Sequence, residues 1–314
     1  MPLDAFNNKF AIISCDSFVQ PSYRITPFST EDIKKNRHLM DSGVIKNYFD
    51  NRFIGKKYIY TTSGRSALNH ALTSLNLNKE DNVTIFTTSG NFYISGCVTK
   101  EIEKFCKWTR AIEKNTRAIL VNHEFGFPYE KLSKLKKYKL PIIEDCAHSF
   151  ISQNYEKSVG RIGKYVIYSF PKFFPIQFGG LLVTDDDENN FKDISEEEKN
   201  YIKNVLSYNI VSQEKIILKR IENYRYLEQK FSKFGFTSRF ELNEEIHCPG
   251  VYLFNTHQKI DLNKFKLFMQ SHGVESSIFY KEDAFFLPVH QKLELDDLDY
   301  FITLINHFGE RGQK

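Results

Sequence analysis

Two short segments of the sequence carry side chains that could do chemistry together. Lys172 lies in an aromatic stretch just before the glycine pair Gly179–Gly180, and Asp145 and His148 follow an apolar run earlier in the chain. A lysine amine can form a Schiff base with an aldehyde cofactor, and an aspartate behind the cofactor ring can keep its pyridine nitrogen protonated, so that the ring accepts carbanion electrons. Because each half needs the other, the two segments together predict a pyridoxal phosphate (PLP) site.

The surroundings of Lys172 favour a reactive amine. Phenylalanines stand at positions 170, 173, 174 and 178, and desolvation among them would favour the neutral, nucleophilic form of the amine. Taken alone, the segment is equally typical of a surface lysine whose alkyl stem covers an aromatic loop. Ser169, just before this stretch, offers a hydroxyl that could reach a cofactor phosphate.

A predicted strand-to-helix turn at Ser63, Gly64 and Arg65 is a candidate site for that phosphate. Glycine allows a tight turn, and the backbone N–H groups that follow point outward from the helix start. Arg65 adds a charge-assisted donor, although it could equally pair with a local carboxylate. Taken singly, the turn is more typical of a capped helix, Asp145 of a helix cap and His148 of a structural histidine.

The elements that would position these residues alternate between strands and helices. Apolar runs rich in β-branched and aromatic residues predict strands that begin near residues 58, 83, 118, 140, 165 and 180. Helical spacing at positions 67, 68, 71, 72 and 75 predicts a helix after the first strand. This order predicts an α/β fold, with a mostly parallel sheet flanked by helices.

The pattern changes after residue 186, where the chain turns acidic and then enters a long helical pattern from about residue 214 to 231. The remainder predicts a smaller α/β domain, with a strand at 250–254, a helix at 261–271, a strand at 274–280 and a helix at 296–308. We therefore predict a large PLP-binding domain over residues 1–204 and a small C-terminal domain over residues 205–314.

Composition limits the function classes. The chain has 314 residues, and its 43 basic and 39 acidic residues are interspersed, which does not favour a nucleic-acid surface. Five widely spaced cysteines without a Cys-x-x-Cys pair predict reduced thiols in a cytoplasmic protein, and we predict no metal site. No signal pattern opens the sequence, and no stretch approaches the ~18 apolar residues of a membrane span, so we expect a soluble protein without membrane association.

Taken in order, the segments resemble the DegT/DnrJ/EryC1/StrS aminotransferases, the PLP-dependent sugar aminotransferases of fold type I. The similarity includes the family's Ser-Gly-Thr-x-Ala-Leu turn, its Glu-Asp-x-Ala-Gln/His motif and its closing Leu-Pro-x-His segment. Any one such segment is common, but five matching segments in the same order are specific for the family. The five matching segments are Ser63–Leu68, Asn122–Pro128, Glu144–His148, Gly160–Phe170 and Phe286–Leu293.

The resemblance implies a role for each candidate residue. Lys172 would form the Schiff base, Asp145 would bind the pyridine nitrogen and His148 would contact the side of the ring that bears the 3-hydroxyl. It also implies a homodimer, because this fold normally builds its active site across a two-fold interface. The other implied cofactor contacts are Ser63, Gly64, Arg65 and Ser169 at the phosphate, Phe92 stacked on the ring, and Asn209 as a remnant of a Gly-Tyr-Asn segment.

Several positions depart from the family pattern. Arg65 stands where a threonine is usual, and the spacing from Ser169 to Lys172 is two residues shorter than in the family. Lys172 nevertheless keeps the family's spacing to Gly179–Gly180, so it remains the predicted Schiff-base lysine. The chain is also trimmed after Cys97 and between residues 190 and 225, where relatives supply a loop to the partner's active site.

The resemblance implies transamination of a nucleotide-linked keto sugar, with glutamate as amino donor, in the biosynthesis of a lipopolysaccharide, capsule or antibiotic sugar. Relatives with histidine in place of the lysine dehydrate their substrate instead, and Lys172 argues against that subgroup. Two alternatives stay open. One is a non-catalytic relative that binds a sugar nucleotide or serves as a regulatory subunit, and the other is PLP chemistry on an amino acid without a sugar.

Overall fold

The computed structural model describes residues 21–40, 42–186 and 193–312, with side chains as far as residue 309. Contacts divide the chain into two compact units. Of the described residues, the larger unit holds those within Thr26–Lys215 and Asn243–Cys248, and the smaller unit holds residues 21–25, Ile216–Leu242 and 249–312.

The larger unit alternates helices and strands, as predicted. The helix after the first strand buries Ala67, Leu68, Ala71 and Leu72, while Leu75 is partly buried at its end. This apolar face packs mainly on the strands at residues 165–169 and 180–184, which confirms the helical spacing. The elements are α1 (Glu31–Arg37), α2 (Val44–Arg52), β1 (Lys57–Thr61), α3 (Gly64–Ser74), β2 (Asn82–Thr87), α4 (Gly96–Ile102), β3 (Lys107–Thr109), β4 (Thr116–Asn122), β5 (Ile142–Asp145), β6 (Tyr165–Ser169), β7 (Gly180–Thr184) and α5 (Glu196–Ile210).

The strands of this unit form one seven-stranded sheet in the order β1-β7-β6-β5-β4-β2-β3. Strand β7 is antiparallel to both of its neighbours, and the remaining pairs are parallel. Each predicted strand is present, and the short edge strand β3 is an addition. The predicted fold class, a mostly parallel sheet with flanking helices, is confirmed.

The predicted division between residues 204 and 205 falls inside α5, whereas the two compact units separate after Lys215. Helix α5 packs against α1 and α2, and these contacts keep it with the larger unit. The assignment of functional domains remains a prediction.

The smaller unit has a four-stranded antiparallel sheet in the order β10-β11-β9-β8. Strands β8 and β11 were not predicted: β8 is only two residues long, and the apolar run of β11 ends at Pro288, a residue that argues against a strand. The elements are α6 (Gln213–Ser232), which begins just before the unit, β8 (Thr237–Ser238), β9 (Val251–Asn255), α7 (Leu262–Ser271), β10 (Ser277–Ile278), β11 (Ala284–Pro288) and α8 (Leu295–Gly312). Within the described ranges, no helix is both long and apolar enough to cross a membrane.

The smaller unit contains a buried histidine that is expected to make folding pH-dependent. His290 is 6% exposed, and its Nδ1 accepts the N–H of Lys292 at 3.2 Å. Burial, together with the nearby charge of Arg220, lowers the pKa of His290 to about 3. Between pH 6.5 and that value, the unfolded chain binds a proton that the folded chain does not.

We therefore expect the free energy of unfolding to fall by about 1.4 kcal/mol per pH unit through this group as the pH drops from 6.5 towards 3. His290→Gln should remove that slope, as measured by urea unfolding at several pH values. His257→Gln, at an exposed position, is the matched control and should keep the wild-type slope. Equal slopes in all three proteins would contradict the assignment.

Candidate active site

The carboxyl ends of neighbouring parallel strands meet at one edge of the large sheet. Thr87 at the end of β2 pairs in register with Asn122 of β4, and Asn122 pairs with Asp145 of β5. Adjacent strands lie about 4.8 Å apart, so the segments that follow them gather at one edge. Ligands bind at this edge in open α/β sheets.

Asp145 is a desolvated carboxylate at that edge. Its side chain is 8% exposed, and Oδ1 accepts the backbone N–H of Ala147 at 3.0 Å. Desolvation raises the pKa of the carboxyl group, while the Ala147 hydrogen bond and the charge of Lys172 oppose that rise. The two predicted catalytic residues therefore interact electrostatically, and the carboxylate suits a cationic partner such as a protonated ring nitrogen.

Lys172 ends a short 3₁₀ turn, Phe170–Lys172, that follows β6 directly. Phe170, Phe173 and Phe174 are buried in an aromatic cluster around Phe150. Most of the aromatic stretch is therefore core, which anchors the turn that carries the half-buried lysine. The remaining member of the stretch, Phe178, stacks instead on Tyr201 of α5, with ring centroids 5.6 Å apart.

The predicted phosphate turn packs tightly on the ends of β6 and β7. Ser63 caps α3, because its Oγ accepts the N–H of Ser66 at 3.1 Å. A Cβ added to Gly64 would lie 3.1 Å from Cβ of Ser169, and one added to Gly180 would lie 2.5 Å from the carbonyl carbon of Ser63. The first N–H groups of α3 have no acceptor within the helix, so the turn is shaped to receive an anion.

Arg65 makes a contact that the sequence analysis missed. Its Nη2 donates to Sγ of Cys97 at 2.8 Å, at the start of α4. Partial burial alone would raise the pKa of Cys97, but hydrogen bonds from Arg65 and Ser95 and the charges of Arg65 and Lys172 lower it overall. Cys97 thereby joins Arg65 and Lys172 in one electrostatic cluster. The two residues are 32 positions apart, so no local sequence pattern predicts their contact.

The other predicted cofactor residues differ in their placement. His148 is half-buried, and the ring of Phe125 meets it edge-on with centroids 5.3 Å apart. Phe92 is 57% exposed and packs on Trp108 of β3, with centroids 5.9 Å apart. Asn209 donates its side-chain amide to the carbonyl of Val205 within α5. Among the described residues, these contacts do not join Phe92 or Asn209 to the Lys172–Asp145 pair, and both roles stay predictions.

Two acidic side chains near the site were also missed. Asp193 accepts the Thr62 N–H at 3.4 Å, the Thr62 hydroxyl at 3.1 Å and the Ser66 hydroxyl, so it fixes one flank of the phosphate turn. Glu144, fully buried, accepts N–H groups from the glycine-rich segment Gly160–Gly163. The first lies far from the turn in sequence, and the second is adjacent to Asp145 but faces the other side of β5.

His123 completes the surroundings of Glu144. Its Nε2 donates to Glu144 at 3.2 Å, and its Nδ1 accepts the N–H of Tyr129 at 3.1 Å. His123, Glu144 and Cys146 lie close enough together to hold a metal ion. Both histidine nitrogens and both carboxylate oxygens are already engaged in hydrogen bonds, however. These side chains therefore have a structural role, because they connect neighbouring segments of the fold.

Solved structures of aminotransferases share this architecture. The aminotransferase TlmJ from Streptoalloteichus hindustanus is 15% identical, with a TM-score of 0.70 over 91% of this chain and 97% of that one. NtdA from Bacillus subtilis, solved with bound cofactor PMP, is 14% identical, with a TM-score of 0.66 over 90% of this chain and 83% of that one. At these identities the likeness concerns the fold, and it agrees with the predicted fold type I.

Sequence comparison finds a family match over part of the chain. Residues 104–210 match the model of the DegT/DnrJ/EryC1/StrS aminotransferase family. GDP-perosamine synthase from Escherichia coli O157:H7 is 30% identical over 163 residues, which cover 44% of each chain. A Micromonospora echinospora protein, provisionally named L-glutamine:3-amino-2,3-dideoxy-scyllo-inosose aminotransferase, is 30% identical over 192 residues, which cover 50% of this chain and 45% of that one. The matched family is the one that the motifs predicted, and the chain spans less than half the length of these curated relatives.

The close approach at Gly180 predicts that any side chain there disturbs the site. Gly180→Ala would force the Ser63 backbone away, and overpacking of this kind lowers the free energy of unfolding by about 2 kcal/mol. Gly96→Ala is the matched control, because a Cβ at Gly96 meets nothing within 4 Å. Thermal unfolding of the two variants should differ clearly, and equal stabilities would contradict the packing described for the turn.

The Arg65–Cys97 pair predicts a reactive thiol. Cys97 is exposed, whereas Cys106, Cys146 and Cys248 are buried, and a lowered pKa leaves more thiolate at neutral pH. Iodoacetamide should label Cys97 first among these four, as read by peptide mass mapping, which also separates Cys15, outside the described residues.

The Arg65→Ala variant should slow the labelling of Cys97 roughly threefold at pH 7, because its pKa returns towards the ordinary range. Arg117→Ala, which removes an exposed arginine paired with Asp81, should leave the rate unchanged. If both variants react like the wild type, Arg65 does not activate the thiol.

Proposed function

We propose that the chain is a PLP-dependent aminotransferase that acts on a nucleotide-linked keto sugar. The observation that carries the proposal is the position of the desolvated carboxylate of Asp145, whose raised pKa the charge of Lys172 partly offsets, at the sheet edge that also carries the turn where Gly64 lies against Ser169. An amine, an acid and an anion-binding turn at one sheet edge are the groups that this cofactor requires. The match of residues 104–210 to the family model supports the assignment.

Each residue then has a task. When bound, PLP supplies the electron sink for carbanion chemistry. Lys172 would hold the cofactor through Nζ and, once released, move a proton between the donor carbon and the cofactor. Asp145 would keep the ring nitrogen protonated, because a cation beside it offsets the cost of its own desolvation. Ser169 and the first N–H groups of α3 would bind the phosphate.

The proposed substrate class rests on the relatives. GDP-perosamine synthase bears a nucleotide-sugar name, and the Micromonospora protein is named for amination of an inosose. We propose glutamate as amino donor, with glutamine, which the second name carries, as the competing donor. We further propose a cytoplasmic homodimer, in line with the thiol pattern and the two-fold site implied by the family.

The Schiff base is the first point to test. Wild-type protein mixed with PLP should develop a visible absorbance band, and borohydride reduction should fix the cofactor's mass on the peptide that contains Lys172. Lys172→Ala should lose both signals. Lys164→Ala, a variant of a surface lysine that pairs with Asp186 at 3.1 Å, should keep both.

The same preparation tests the substrate class. Aminated cofactor should be discharged by a nucleotide-linked keto sugar, with a return of the visible band. Discharge by simple keto acids alone would indicate amino-acid chemistry without a sugar. A wild-type protein that takes up no PLP would favour the non-catalytic reading, a scaffold that binds a sugar nucleotide.

A further inference from the structure

The loop between β2 and α4, residues 88–94, is held by two side chains that have no role in the site described above. Arg110, just after β3, donates from Nη1 to the carbonyl of Ile85 at 2.6 Å. Its Nη2 donates to Oγ1 of Thr87 at 3.0 Å and to the carbonyl of Asn91 at 2.8 Å. One planar guanidinium therefore ties the end of β2 to the middle of the loop.

Glu124 holds the same loop from the opposite side. Its carboxylate, 5% exposed, accepts the N–H of Ser89 at 2.6 Å, and its own N–H donates to Oγ1 of Thr88 at 3.2 Å. The Thr88 hydroxyl in turn donates to the carbonyl of Phe127 at 2.6 Å. The charge of Glu124 also offsets part of the desolvation that lowers the pKa of Arg110. The two side chains form a complementary pair around the loop.

The held loop borders the candidate site at both ends. Glu124 leads into Phe125, whose ring meets His148, and Phe125 takes a positive φ of 53° that a non-glycine residue rarely adopts. At the far end, the loop leads to Cys97, which contacts Arg65 and feels the charge of Lys172. The loop therefore spans from the ring side of the predicted cofactor site to its phosphate side.

We propose that Arg110 and Glu124 are positioning residues that hold this loop as one wall of the cofactor site. The inference rests on the proposed function, because a wall of the cofactor site requires that the protein binds PLP there. Surface loops are ordinarily mobile, and a displacement of about 1 Å in a wall of the site is enough to weaken binding. The guanidinium group of Arg110 restricts the motion of this loop through its hydrogen bonds, without contacting the cofactor.

The only tryptophan of the chain allows a test that needs no cofactor. Trp108 packs on Phe92 of the loop, so acrylamide quenching of its fluorescence reports the position of the loop in the apo protein. Arg110→Gln should increase quenching and raise the Kd for PLP about tenfold. Arg110→Lys, which keeps the charge without the fork, should fall between Arg110→Gln and the wild type. Arg117→Gln, the same substitution at an exposed arginine, is the control.

Thr87→Val provides a second, milder variant in case Arg110→Gln fails to fold, which circular dichroism would show. It removes one acceptor of Arg110 at a buried position and should raise the Kd for PLP about threefold. If the wild type binds PLP, and Arg110→Lys and Thr87→Val bind it with the same Kd, the positioning role is wrong while the proposed function stands. A wild type that binds no PLP, while quenching still rises in the Arg110 variants, would overturn the proposed function and with it the role of the wall.

Discussion

The site depends on the carboxylate of Asp145, which β5 holds at the sheet edge, largely out of water. In such a place a carboxylate stays charged when hydrogen bonds and positive charge replace the lost hydration. One backbone N–H and the charge of Lys172 supply part of that replacement. Desolvation makes the charged carboxylate unfavourable on its own, and it therefore favours the binding of a cationic ligand beside it.

Backbone packing then fixes the position of the predicted phosphate turn relative to Asp145. The N–H of Gly179 donates to the carbonyl of Thr62 at 2.8 Å, and Gly179 takes a φ of 114° that other residues avoid. Gly180 lies against the Ser63 backbone, and Gly64 lies against Ser169. Strand β7, the antiparallel member of the sheet between β1 and β6, thereby locks the start of α3 onto the end of β6. Gly179 is required there by its backbone conformation, and Gly180 by close contact.

Much of the fold could be predicted because its signals are local. The buried face of α3 follows directly from the spacing of Ala67, Leu68, Ala71 and Leu72, and the large sheet follows from short apolar runs. The smaller unit was harder, because β8 is only two residues long and the apolar run of β11 ends at a proline. The end of the larger unit depends on helix packing that no composition shift marks. In the candidate site, residues within motifs could be named from the sequence, and their roles stay predictions. Cys97, Arg110 and Asp193 contact partners that are distant in sequence, and such contacts are visible only in the fold.

Glu144 and Asp145 show why adjacent carboxylates can have opposite tasks. Successive side chains of a strand point to opposite faces, so β5 directs one acid into the core and the other to the edge. Glu144 receives four donors, three backbone N–H groups and one imidazole, and its oxygens have no capacity left for a ligand. Asp145 receives one backbone N–H and keeps acceptor capacity. The number of donors around each carboxylate, and not its burial, therefore separates the residue that holds the fold from the residue that is available for chemistry.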